Sequence, residues 1–139
     1  MGHVIRAWGR CRPLCSTLQA EVAALQWAVE LASHEHWQQL IFEGEAKACF
    51  DVLSSSTPPL DWSISTIISN IHCLSVGFPS VKFCWVMRQY NSAAHVVARF
   101  ALNSGQSFFS IMVIFIDFVC KVDYRHLFFL SCLMTLQII

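Results

Sequence analysis

The sequence predicts an α/β fold built as one domain, and three observations carry that expectation. Apolar residues recur at helical spacing in some stretches and run together or alternate in others, in the order strand, helix, strand, helix, helix, strand, helix. Such alternation argues for helices layered on a sheet that is at least partly parallel. At 139 residues the chain is long enough for one ordinary core and too short for two. Composition then changes at Gly105, which divides an amphipathic region, residues 1–105, from an apolar tail, residues 106–139.

The elements follow in order. His3 to Trp8 is a short extended run, punctuated by Gly9 and Pro13, and Ser16 or Thr17 is placed to cap the next helix. That helix is expected from about Leu18 to His34, with Leu18, Val22, Leu25, Val29 and Ala32 on one stripe. Glu21 falls on the same stripe, where an uncompensated charge is costly, so it calls for a cation, a metal or a proton. Gln39 to Phe42 reads as a compact strand running into Glu43-Gly44-Glu45, and Ala46 to Leu53 as a short helix.

Ser54 to Leu60, containing Pro58-Pro59, is a loop by composition. Asp61 or Ser63 then opens a helix bearing Ile64, Ile67, Ile68, Ile71 and Leu74, which stops near Gly77. Ser80 to Val86 alternates as a strand with Val81, Phe83 and Trp85 on one face, and Asn91 is expected to cap a last helix ending at Asn103-Ser104-Gly105.

Bulk composition excludes several classes. Net charge is zero and charged residues make up 13%, so the broad basic footprint of a dedicated nucleic-acid binder is missing and any such affinity must be local. The seven cysteines, at 11, 15, 49, 73, 84, 120 and 132, form no CxxC pair and follow no secretory signal, which points to a reduced intracellular protein, nuclear or cytoplasmic rather than secreted. Cys11 and Cys15 lack a second ligand pair, so a structural zinc is discarded. No glycine-rich phosphate loop, GxSxG elbow or HExxH is present. His34-Glu35-His36 sits at a helix end, where histidine suits the dipole, and is read as structural.

In the tail, Phe108 to Ile116 and Leu127 to Ile139 each fall short of the about 18 apolar residues a membrane span requires. Asp117, Lys121, Asp123 and Arg125 lie between them, so a spanning helix is disfavoured and a weak interfacial anchor is left open. The favoured reading is sequence never selected to fold. A disfavoured one makes Ile111 to Asp117 a substitute strand that delivers Asp117 to a site.

Five segments in register resemble the ribonuclease H-like domain of plant retroelement-derived reverse-transcriptase proteins. They are Gly2-His3-Val4-Ile5-Arg6; Ala20-Glu21-Val22-Ala23-Ala24-Leu25-Gln26-Trp27-Ala28; Leu40-Ile41-Phe42-Glu43-Gly44-Glu45-Ala46; Pro58-Pro59-Leu60-Asp61-Trp62-Ser63-Ile64; and Arg88-Gln89-Tyr90-Asn91-Ser92-Ala93-Ala94-His95-Val96-Val97-Ala98-Arg99. The resemblance covers residues 2 to 102 and leaves the tail unmatched. It implies a mixed sheet flanked by helices, with this chain beginning after the family's first strand.

It also implies a two-metal nuclease site for RNA–DNA hybrids, with Mg²⁺ as the cofactor and Mn²⁺ as a substitute. Two hard cations roughly 3.5–4 Å apart need several anionic oxygen ligands to bind and to activate water. Of the family's four ligand positions, the first precedes this chain, and Glu21 matches the second. Glu45 stands at the third in place of the usual Asp, one methylene longer, and His95 stands at the fourth, where the family has Asp or His. A neutral imidazole prefers softer ions than Mg²⁺ and adds no negative charge. Glu21, Glu45 and His95 are therefore the candidate catalytic residues, with Glu21 and Glu45 the candidate metal ligands.

Arg88 and Asn91 are the candidate nucleic-acid contacts, a guanidinium and an amide suited to phosphate or sugar, with Lys82 and Arg99 nearby in sequence. For Asn91 the competing role is that of a simple cap. The expected partner is an RNA–DNA hybrid or another nucleic acid, with neither a small-molecule cofactor nor a membrane. With the ligand set incomplete, hybrid cleavage is expected to be lost or weak. A non-catalytic nucleic-acid or protein interaction module, or a retroelement relic without function, stays open as an alternative.

Overall fold

The computed structural model describes residues 3–4, 7–9, 16–34, 39–55, 58, 61–92, 94–95, 108–110 and 114–115. Its elements are β1 (His3–Val4), β2 (Ala7–Gly9), α1 (Thr17–His34), β3 (Gln39–Gly44), α2 (Lys47–Ser55), a 3-10 turn (Trp62–Ile64), α3 (Ser65–Ser75), β4 (Ser80–Trp85), a second 3-10 turn (Arg88–Asn91), β5 (Phe108–Ser110) and β6 (Ile114–Phe115). This is the mixed α/β architecture expected of a ribonuclease H-like domain, with a two-stranded parallel pair flanked by helices.

Helix α1 begins where a reciprocal cap forms. The Ser16 hydroxyl accepts from the Gln19 backbone N–H at 3.1 Å, and the Gln19 side-chain oxygen accepts from the Ser16 N–H, also at 3.1 Å. This capping box satisfies two N–H groups that the first turn would otherwise leave to solvent. Of the stripe read from the sequence, the helix buries Val22, Leu25, Val29 and Ala32 together with Glu21, while Leu18 is partly buried.

Strands β3 and β4 run parallel, with Gln39 opposite Ser80, Phe42 opposite Phe83 and Gly44 opposite Trp85. The Val86 N–H continues the ladder by donating to the Gly44 carbonyl at 2.9 Å. β3 thus extends past Phe42, where the sequence pattern ends it, because pairing with β4 satisfies backbone groups that Glu43 and Gly44 would otherwise expose. Parallel neighbours need a crossover, and the chain supplies one through α2 and α3.

The core gathers Val22, Leu25 and Val29 of α1, Leu40 and Phe42 of β3, Cys49, Phe50 and Leu53 of α2, and Ile64, Ile68 and Ile71 around α3. Phe42, fully buried, stacks on Phe83 at 5.4 Å and meets Phe78 at 6.4 Å in a tilted pair. Offset aromatic contacts of this kind add to the area term that drives burial.

The helix expected from Asp61 or Ser63 starts with a tighter turn. The Asp61 carboxylate accepts from the Ser63 N–H at 2.8 Å and caps the 3-10 turn, after which α3 begins at Ser65.

At the other end of the fold, the change from extended to helical backbone falls at Met87, whose φ of −69° and ψ of 147° are extended. That is four residues before Asn91, the position read from the sequence, because a 3-10 turn precedes the helical backbone of Ser92, Ala94 and His95. The end of that helix at Asn103-Ser104-Gly105 lies outside the described residues.

Two stretches of the tail pair with the N-terminal strands. β5 lies antiparallel to β2, with Trp8 opposite Phe109, and β6 lies antiparallel to β1, with Val4 opposite Ile114. The register steps by one residue between the two pairs: residues 5–6 separate the strands on one side and residues 111–113 on the other. β6 falls within the Ile111 to Asp117 run, while Asp117 itself lies outside the described residues. Among the described residues no helix is long and apolar enough to cross a membrane.

Candidate functional site

The parallel pair ends at Gly44 and Trp85, and the chain leaves both strands at the same edge. Glu45 follows β3 directly and Arg88 opens the turn after β4, so strand register alone brings the two segments together. The carboxyl edge of parallel strands is where open α/β sheets form their ligand crevices.

Three of the sequence-derived candidates meet here. His95 Nε2 lies 2.9 Å from Glu45 Oε1, and Arg88 Nη1 lies 3.7 Å from the same oxygen. The Glu45 side chain is 10% exposed and that of His95 18%, whereas Arg88 is 69% exposed. The His95–Glu45 distance is that of an ion pair, but neither atom has the alignment of a hydrogen bond. The contact is therefore electrostatic and at full strength only with the imidazole protonated.

Asn91 closes the turn that Arg88 opens and is 7% exposed. Its Nδ2 is buried and has no hydrogen-bond partner among the described residues. Native structures rarely leave such donors unused, so this amide asks for an acceptor.

Glu21 is 3% exposed on the inner face of α1. Its negative charge reaches Cys49 in α2: burial first, and the Glu21 charge second, push that thiol up to about 12. Burial and charge both disfavour the thiolate, so Cys49 stays a neutral core residue rather than a nucleophile. Among the described residues no three His, Cys, Asp or Glu side chains converge where they could hold a metal ion.

That donor set does not fit a pair of Mg²⁺ ions. Hard cations take several oxygen ligands each, whereas the Glu45 oxygen nearest to other charged groups faces an imidazole and a guanidinium. A metal competing for it would meet both.

The sequence profile of a family described as reverse transcriptase-like matches residues 2–101. The chain belongs to the reverse transcriptase-like family. No curated protein and no solved structure gives a significant match. In this family member the matched span holds Glu21, Glu45, Arg88, Asn91 and His95 and stops short of β5 and β6.

Periodicity puts Trp85 on one face of the strand with Val81 and Phe83, but its burial differs from theirs. Trp85 is 44% exposed because β4 ends there, beyond the part of the strand whose Val81 and Phe83 pack on the core. Its indole Nε1 donates to the Glu45 carbonyl at 3.1 Å, and Lys47 Nζ lies 5.7 Å from its ring centre. Neither Trp85 nor Lys47 was a site residue by sequence reasoning. The available signal was their position, one on the last residue of a strand and the other three residues past the end of its partner. Lys82 is exposed on β4, and Arg99 lies outside the described residues.

Proposed function

We propose that this reverse transcriptase-like domain binds nucleic acid through the Arg88–Asn91 turn at the carboxyl edge of the β3–β4 pair, and cleaves RNA–DNA hybrids weakly or not at all. The observation that carries the reading is the turn itself, with an exposed guanidinium at one end and, at the other, a buried amide donor without a partner among the described residues. Both are donors to phosphate or sugar oxygens, contacts that fix position rather than read sequence.

Weak cleavage follows from the donor set. Glu45 has the longer side chain where the family carries Asp, and its oxygen is met by His95 and Arg88. Catalytic constellations lose rate when ligands shift by about 0.5 Å, so a site built on Glu21 and Glu45 would support little turnover even with Mg²⁺ or Mn²⁺ supplied. The segments Gly2 to Arg6 and Arg88 to Arg99 favour the plant type of the family, carried by retroelement-derived proteins. Free thiols at Cys49, Cys73 and Cys84 are in keeping with an intracellular site of action.

The test is incubation of the purified chain with a labelled RNA–DNA hybrid in Mg²⁺ and separately in Mn²⁺, beside a Glu21→Gln control, with binding measured over a salt series. Expected is hybrid binding that weakens as salt rises, by about 0.9 log units per log unit of salt for each phosphate contacted. Cleavage is expected to match the control. Rapid, multiple-turnover metal-dependent cleavage abolished by Glu21→Gln would overturn the catalytic half of the proposal, and absence of binding at low salt the other half.

A further inference from the structure

Three large apolar side chains stand exposed within six residues of chain: Trp85 at 44%, Met87 at 46% and Tyr90 at 63%. Scattered surface hydrophobics need no explanation, but a run of them at the carboxyl edge of a parallel pair does. The segment is fixed in place. Val86 N–H donates to the Gly44 carbonyl at 2.9 Å, Tyr90 N–H to the Met87 carbonyl at 2.9 Å, and the Trp85 indole to the Glu45 carbonyl at 3.1 Å. A ring tethered by its nitrogen presents its face at little entropic cost.

Two exposed cations stand beside these rings, accompanied by one exposed carboxylate, that of Asp51. Lys47, 63% exposed, holds its ammonium 5.7 Å from the Trp85 ring centre, and Arg88 is 69% exposed, whereas the Glu45 carboxylate is turned in toward His95. Lys47 also pairs with Asp51 at 2.7 Å, but an exposed pair of this kind is worth little and gives way readily to a stronger anion.

Aromatic faces alternating with exposed cations match a chain that alternates flat bases with phosphates, and bases are free to stack only when unpaired. We infer that Trp85 and Tyr90 form a stacking platform for an unpaired stretch of nucleic acid, whose phosphates lie on Lys47 and Arg88. The inference rests on the nucleic-acid reading above and narrows it: the preferred ligand is a single strand, or the single-stranded end of a hybrid, rather than a continuous duplex.

The experiment is fluorescence anisotropy with the full chain and three labelled probes at one salt concentration: oligothymidylate, an abasic oligomer of equal length and charge, and a blunt RNA–DNA hybrid. Oligothymidylate is expected to bind about tenfold more tightly than the abasic oligomer, the order of effect that stacking one base supplies. Trp85→Ala is expected to erase that difference and Trp85→Phe to restore most of it, both with an unchanged circular dichroism spectrum.

Equal affinity for the intact and abasic strands would overturn the stacking platform, and because that comparison uses the unaltered chain, it does not depend on a variant folding. If the hybrid still binds in that case, only the platform fails and the Arg88–Asn91 reading survives. If no probe binds, both fall.

Discussion

The imidazole of His95 and the carboxylate of Glu45 meet at 2.9 Å although 50 residues separate them in sequence. Both side chains are mostly shielded, so the pair is less screened than a surface ion pair, and it ties the segment after β4 to the end of β3. Residues in direct contact couple by about 0.5–3 kcal/mol. A cycle of Glu45→Gln, His95→Gln and the double variant, followed by urea unfolding at pH 6, is expected to give a coupling near the low end of that range, because the contact lacks hydrogen-bond alignment. Strictly additive single effects would mean that the contact contributes nothing.

Cys49 predicts a pH dependence of stability with a definite sign. Its thiol is raised from 9.0 to about 12 in the folded protein, by burial first and Glu21 second. Between those values the unfolded chain has released the proton and the folded one has kept it, so the unfolded state binds fewer protons and stability falls as pH rises. Below pH 9 the contribution is fully present. The slope it adds is at most about 1.4 kcal/mol per pH unit. Urea midpoints of the native chain from pH 8 to 10.5 are expected to fall more steeply than those of Cys49→Ala, and exposed Cys73 is expected to alkylate well before Cys49. Parallel midpoint curves would show that Cys49 ionises alike in both states.

Elements set by local chemistry were legible in the sequence, and those set by distant partners were not. The Ser16 cap needs only the glutamine three residues on, and the burial of Glu21 follows from its place on the α1 stripe. The β3–β4 edge that unites Glu45 and Arg88 could be anticipated as alternating strands and helices. Periodicity could not reveal that β3 extends to Gly44, because its partner lies some forty residues away. Nor could it show that Trp85, in phase with Val81 and Phe83, stands past the end of the covered surface. The sequence marks Ile111 to Asp117, which contains β6, as a candidate strand, but the antiparallel pairing of β5 and β6 with the N-terminal strands was not legible, because it is fixed by distant neighbours.

Phe42 offers a direct test of the core. It is fully buried in the middle of β3, stacked on Phe83 and in contact with Phe78. Phe42→Ala removes that contact surface and opens a cavity, at a cost of about 3–5 kcal/mol, against a total stability of about 5–15 kcal/mol for a domain. Phe42→Leu keeps most of the volume and is expected to cost much less. Thermal unfolding should show the alanine variant unfolded or strongly destabilised and the leucine variant cooperative. Similar midpoints for the two would place the core elsewhere.

The last prediction concerns what separates this site from a metal site. His95→Asp replaces the imidazole beside Glu45 with a second carboxylate, the alternative that the family resemblance allows at this position. Without a cation, two neighbouring shielded like charges repel, so the variant should be less stable than the native chain, by about 1 kcal/mol or more. A divalent ion would relieve that repulsion while gaining anionic oxygen ligands. Mn²⁺ at millimolar concentration is therefore expected to raise the melting temperature of His95→Asp and leave that of the native chain unchanged. The sign of this difference matters more than its size. If Mn²⁺ stabilises both chains equally, it binds away from the Glu45–His95 pair; if it stabilises only the native chain, the imidazole is a ligand and the electrostatic reading of that pair is wrong.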